Sequence, residues 1–432
     1  MLRSTGALSG VGSDPCGDIQ YAPFVTCVEG GITTADVNVT ATGAGTGKLV
    51  ETPLVLRAPL SISSITINDP NGHIKDDIQS LLNFNLDRLK VLDIKAKGVS
   101  GTLDGVQDPS KVETLVIHGS LTGVFSLQSG KLKTVDLYNN NIDTFNAETF
   151  TQLESLNISS NKLATFSGFE DNAEPSALQS LDLSYNELTA LPSQMQLPHV
   201  EHFDVSYNKI QGTLPSGVFN EDLKIFDASH NQFSGNVPTQ VAQMSRMEHL
   251  DLSGNTELGG TLSVNANVFA NVEVLDVGRT AIDLTIPASF LVNSKLRHFS
   301  VANAGTFTIT GVPADAQLPN VLSDTLETLD LTGAGLTGPL PPEWADKPNL
   351  KEVNLVGNTI TGCAPDVWTK HSALNAAYQG LKRTSDVRLC GGADAKETEK
   401  SGSNTKLIYG LTISGRDFVG RFTCWPDCLA VL

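Results

Sequence analysis

LQSLDLSYNEL (178–188), VEHFDVSYNKI (200–210), LKIFDASHNQF (223–233) and MEHLDLSGNTEL (247–258) are four copies of one pattern. Aliphatic or Phe residues stand at positions 1, 4, 6 and 11, and Asn stands at position 9. LKTVDLYNNNI (132–142) and LESLNISSNKL (153–163) extend it upstream, and LKEVNLVGNTI (350–360) extends it downstream. Allowing any aliphatic or Phe at the apolar positions, 13 copies begin between Ile62 and Leu350, on average 24 residues apart. Chance alternation does not hold register over such a length, so the chain is expected to be a solenoid of stacked, similar turns. Within each copy, alternation predicts a short strand with positions 4 and 6 facing inward.

Composition agrees. The 432 residues are 40% hydrophobic but only 6% aromatic, which suits a core of stacked aliphatics. With 29 basic and 47 acidic side chains the net charge is −18, which argues against nucleic-acid phosphates and anionic membranes and favours a neutral or basic partner. No stretch approaches the roughly 20 apolar residues of a membrane span, and residues 1–12 lack the apolar run of a secretory leader.

The position-9 Asn recurs as Asn140, Asn161, Asn186, Asn208, Asn231, Asn255 and Asn358. An amide both donates and accepts, so a buried column of them can pair the turn backbone that stacking removes from water. Thr280, Ala304 and Ala334 break the column, which predicts looser packing around 275–340. After the Asn, several copies continue as G-x-x-P: GTLP at Gly212, GNVP at Gly235, GPLP at Gly338, and TGCAP around Gly362.

At these motifs the chain resembles plant-type extracellular leucine-rich repeats. Through PPEW (341–344) and GCAPDVW (362–368) it also resembles trypanosomatid surface antigens. The resemblance implies an α/β solenoid, a curved right-handed coil with a concave parallel sheet. It further implies a secreted or surface adhesive glycoprotein.

A solenoid exposes its core at both ends, and the six cysteines lie at those ends. Thirteen strands about 4.8 Å apart separate the ends by about 60 Å, far beyond the ~7 Å that a disulfide spans, so Cys16 pairs with Cys27. Of three pairings open to the other four, Cys363 with Cys390 and Cys424 with Cys428 is preferred. Reduced thiols, or a zinc site made by those four, are the alternatives weighed. The organisation expected is an N-terminal cap (1–61), in which Ile32, Ala35 and Val37 suit one extra strand, then the repeat array (62–373), a C-terminal cap (374–392), a polar linker (393–405) and a small hairpin (406–432). Sequons at Asn38 and Asn157 are compatible with secretion.

Positions 2, 3, 5, 7 and 8 are expected to project from the concave sheet; over the 12 repeats from Leu89 they carry 7 basic and 15 acidic residues. Position 5 is Asp in eight copies, five of them consecutive: Asp182, Asp204, Asp227, Asp251 and Asp276. Position 3 runs His202, Ile225, His249, Val274, His298, and position 8 runs Tyr185, Tyr207, His230, with Arg279 two repeats on. Apolar and aromatic side chains contiguous on an acidic face have the composition of a binding hot spot. The histidines are too dispersed to share a metal, so no metal or other cofactor is expected. They predict instead a mild pH dependence near 6 to 7. A cation on the Asp row is the alternative to its being ordinary repeat sequence, and a melting temperature insensitive to calcium would remove it.

No nucleophile elbow, phosphate loop or HExxH motif is present, and the longest insertion, around TFTITGVPADAQLPN (306–320), lacks His, Cys and Lys. The function expected is therefore recognition of a protein or glycan ligand outside the cell or at its surface, through repeats Leu178 to Leu296. A structural coat or matrix component comes second and an enzyme last. Nothing in the repeat specifies an oligomeric state.

Overall fold

In the strand Ser180–Asp182, Leu181 is buried while Ser180 and Asp182 face outward, and the same pattern returns in His202–Asp204, Ile225–Asp227, His249–Asp251 and Val274–Asp276. Equivalent positions pair: Asp182 lies opposite Asp204, Asp204 opposite Asp227, Asp227 opposite Asp251, and Asp251 opposite Asp276, all in parallel register. The repeat thus becomes a ladder of like residues, the consequence of stacking similar turns. The computed structural model describes residues 63–391 with short interruptions, the longest at 80–88, together with Val25–Val28 and Gly31–Asn38. Cys16, Cys424, Cys428 and the expected linker and hairpin lie outside the described residues. The side chains of Cys27 and Asn38 do too.

The chain forms a parallel β-solenoid of about 11 turns. Strands also form at the first two of the 13 sequence copies, Ser64–Asp69 and Val91–Gly101, but the return segments after them lie largely outside the described residues. Upstream, Gly31–Asn38 adds the extra strand in parallel to Ser64–Asp69 and turns back as an antiparallel hairpin with Val25–Val28.

The α-helical returns implied by an α/β solenoid are corrected from Leu178 onward, although Ile78 and Gln79 are α-helical after the first copy. In those later repeats the array returns through second short strands and 3-10 helices, Ser216–Val218, Thr239–Gln243, Ala288–Val292, Pro342–Asp346 and Asp366–Lys370. Each follows a Pro: Pro215, Pro238, Pro287, Pro341 and Pro365, with φ between −60° and −76°. The G-x-x-P motif is therefore a turn device. It consumes return length as strand (Gln211–Gly212, Gln232–Asn236), and its Pro presets φ for one tight 3-10 turn, leaving no room for an α-helix.

PPEW and GCAPDVW are core motifs. Trp344 and Trp368 are fully buried, stack at 5.9 Å, and donate their Nε1–H to the carbonyls of Pro319 and Pro341 one turn back.

The Asn column works as expected. Asn208 donates to the carbonyls of Leu183, Val205 and Ser206 and accepts from Leu188 N–H, so one side chain joins two turns. Where Thr280, Ala304 and Ala334 replace it, the turns close otherwise: Thr280 Oγ1 donates to Val277 O, and the backbone N–H groups of Ala304 and Ala334 donate to Val301 and Leu331. Core packing continues there, through Leu284, Ile286, Phe299 and Leu329, and the strands Thr261–Ser263, Asp283–Pro287 and Phe307–Thr310 pair behind it.

At the C-terminal end the α-helix Ser372–Thr384 lays Leu374, Ala377, Tyr378 and Leu381 over the exposed core, beginning two residues before the expected cap boundary. The disulfide Cys363–Cys390 and the reciprocal backbone bonds of Ala364 with Arg388 and Cys390 fasten the segment after it. With two of the four sulfurs so joined, the cysteine zinc site is not formed.

Candidate functional site on the outward face of the long sheet

Position 2 carries much of the charge counted on this face, and it is internally paired. Lys90–Glu113, Lys133–Glu154, Lys224–Glu201, Arg297 with Glu273 and Glu327, and Lys351–Glu327 bridge neighbouring strands. The acidic excess therefore resides in the position-5 row.

In the five consecutive copies each carboxylate of that row ends its strand with a local turn. Oδ1 of Asp182, Asp204, Asp227, Asp251 and Asp276 accepts from the backbone N–H two residues on, at 2.7 to 2.9 Å. Asn157 does the same for Ser159, so this sequon residue has a structural role. These turns fold position 7 underneath: Ser184, Ser206 and Ser229 are buried, which corrects the expectation that position 7 is displayed.

The second oxygens meet position 3 of the next repeat, and there the alternation of His with aliphatic residues matters. Asp276 Oδ2 lies 3.2 Å from Nε2 of His298, and this hydrogen bond raises the imidazole pKa. Asp227 Oδ2 lies 3.9 Å from Nε2 of His249, whose pKa burial lowers. Asp204 and Asp251 face Ile225 and Val274 at the corresponding places. Burial, and then repulsion from the flanking carboxylates, pushes Asp204 up to about 6 and Asp251 to about 7. The pH dependence expected from histidines is thus shared with two carboxylates.

At position 8 the rings of Tyr185, Tyr207 and His230 form a continuous stack, with centroids 4.4 and 4.2 Å apart. Tyr185 and Tyr207 are 54% and 44% exposed. All three sit in the left-handed region at φ 53°, which bulky residues seldom adopt. That strain costs about 1 kcal/mol per residue, comparable to what an aromatic pair returns. Gly254, φ 77°, follows His230 in this column without a side chain, so the ring stack ends there and Arg279 is not part of it.

Sequence reasoning set histidine against histidine and found no metal site. The structure keeps His202, His230 and His298 out of any such group but brings Asp227, His249 and Asp251 together, with one ligand atom from each lying within 4.8 Å of the others. The signal was the coincidence of a position-3 His with position-5 carboxylates in its own and the preceding repeat.

These ladders belong to the leucine-rich-repeat fold. No family model matches the sequence. The structure is similar to that of a TDR receptor, with a TM-score of 0.53, 20% identity, and coverage of 72% of this chain and 58% of that one. It is also similar to the leucine-rich-repeat ectodomain of the Arabidopsis receptor kinase HAESA, solved in complex with an IDA peptide hormone ligand: TM-score 0.50, 17% identity, coverage 76% and 62%. In sequence, 156 residues are 28% identical to a brassinosteroid leucine-rich-repeat receptor kinase of Oryza sativa subsp. japonica, covering 32% of this chain and 14% of that protein. The chain thus spans less than two thirds of the length of each. Among the described residues, no helix is long and apolar enough to cross a membrane.

Proposed function

We propose that this chain is an extracellular or cell-surface recognition protein that binds a neutral or basic protein segment on the concave face of repeats Leu178 to Leu296. The observation that carries this reading is the exposed Tyr185–Tyr207–His230 stack beside the position-5 carboxylates. The left-handed backbone beneath it is a feature of the repeat, shared at the same position by Ser160, Arg279 and Asn303, so the exposed rings and not the strain mark the site. The stack favours protein over glycan: both faces of Tyr207 are covered by its neighbours, and sugars stack on open ring faces. Ile225 and Val274 supply apolar contacts between histidines, and Asp204 and Asp251, raised to about 6 and about 7, supply full negative charge for a Lys or Arg only above those values. The disulfide Cys363–Cys390 supports an oxidising compartment, and glycans on Asn38 and Asn157 fit the same route.

Surface-displayed libraries of neutral and basic peptides provide the test. Peptides selected by the wild-type chain are expected to lose at least about a hundredfold in affinity for a Tyr207→Ala, Ile225→Ala variant, as removal of two central anchors implies. Selected peptides that bind the double variant with full affinity place the site elsewhere.

A further inference from the structure

We propose that Asp227, His249 and Asp251 form a binding site for a first-row divalent cation of the zinc type. The three come from adjacent strands, Ile225–Asp227 and His249–Asp251, held in parallel register, so the backbone fixes their spacing. Each offers one ligand atom, and the three atoms lie within 4.8 Å of one another. An ion about 2.1 Å from each needs only small side-chain rotations to draw them in.

A second observation is independent of the carboxylates. Nε2 of His249 is shielded from solvent and makes no hydrogen bond. Its nearest carboxylate oxygen, Asp227 Oδ2, is 3.9 Å away, too far for a hydrogen bond. The equivalent pair two repeats along, His298 with Asp276, closes at 3.2 Å. The His249 pair thus leaves a shielded imidazole nitrogen without a partner beside two carboxylates, an arrangement that a cation completes.

The supporting shell is in place. Oδ1 of Asp227 and of Asp251 are held by the backbone N–H groups of Ser229 and Ser253, which orients the carboxyl groups and leaves Oδ2 for a ligand bond. The neighbouring Lys224 is engaged by Glu201, so it does not supply the missing positive charge. One imidazole with two carboxylates suits zinc and its first-row neighbours over calcium or magnesium, which take oxygen ligands in greater number. Three protein ligands leave a fourth position for water or an outside group.

The site lies on the proposed peptide-binding face and shares Asp251 with it, but zinc binding itself is tested without a partner. The full chain, kept non-reducing and freed of metal by chelation, is titrated with zinc chloride and, separately, calcium chloride in a calorimeter. Saturable zinc binding, a rise in melting temperature with zinc, and none with calcium are expected. His249→Ala and the near-isosteric Asp227→Asn should each weaken zinc binding at least about tenfold. His202→Ala, two strands away, should leave it unchanged, with circular dichroism establishing that all variants fold. Absence of saturable zinc binding, unaltered binding in His249→Ala and Asp227→Asn, or an equal loss in His202→Ala overturns the assignment.

Discussion

Asn157 and Asp251 occupy the same position of the repeat and make the same turn, yet only the carboxylate carries a penalty at neutral pH. Asp251 is raised to about 7 in the folded chain against an ordinary carboxylate value near 3.8. Between those values the folded state holds a proton that the unfolded state has released. The stability contributed by this group is therefore complete below about pH 4 and is lost as pH rises through 7. Asp251→Asn keeps the acceptor for Ser253 N–H and removes the charge. In metal-free protein it is expected to raise stability by on the order of 2 kcal/mol at pH 8 and by little at pH 4, measured as urea unfolding midpoints at the two pH values. The Asn column makes the opposite prediction. Asn208→Ala strands the buried Leu188 N–H and three carbonyl partners, so a loss of roughly 2–4 kcal/mol is expected in the same assay, independent of pH. Asn186, two aligned strands before Asn231, offers a replicate of that measurement.

At the scale of elements, the Pro-led 3-10 turns and the C-terminal helix do different work. The turns press one or two apolar residues each into the core, Val218, Val241, Phe290 with Leu291, Trp344 and Trp368, and so set the thickness of the coil. The helix Ser372–Thr384 covers the last turn, and its attachment depends on the Cys363–Cys390 disulfide across 27 residues. Chain-entropy reasoning assigns a cross-link of that span about 3 kcal/mol. Cys363→Ala with Cys390→Ala is expected to loosen the end of the coil first, because each turn of a repeat array contacts only its neighbours. Hydrogen exchange should show the helix losing protection while the strands from Ser180–Asp182 to Val274–Asp276 keep theirs; uniform loss along the array would contradict this. PPEW, GCAPDVW and G-x-x-P were legible as motifs, but their sequence does not say whether a Trp or Pro faces a ligand or the core. Only the position of the preceding turn decides that, since Trp344 Nε1 must reach Pro319 O, 25 residues away.

Across the whole molecule, inside and outside were legible because alternation along a strand is local and the repeat stacks it in register. The inward Leu, Val and Phe residues, the Asn ladder and the extra strand at Gly31–Asn38 follow from spacing, whereas the 18 strands of the sheet among the described residues include return strands, Asn141–Asn146 and Thr165–Ser167, that the copies do not count. What spacing does not carry is competition for partners across turns. Position 7 projects by alternation but is folded under by a carboxylate that prefers its backbone N–H. Position 2 counts as surface charge but is neutralised by the next strand. From Leu178 onward the α-helical returns implied by family resemblance yield to Pro and a second strand. The outward ladders depend on neighbours too: three rings stack because nothing wider than Gly254 follows them, and Asp227, His249 and Asp251 converge because a His on one turn meets carboxylates on two. The sequence by itself thus determined the coil, its period and the alternation of inward and outward side chains along each short strand, because those depend on residues near in sequence. Only the tertiary structure decided which of those side chains meet, because hydrogen bonds, ring stacking and charge pairing between turns are settled by distances that the period does not encode.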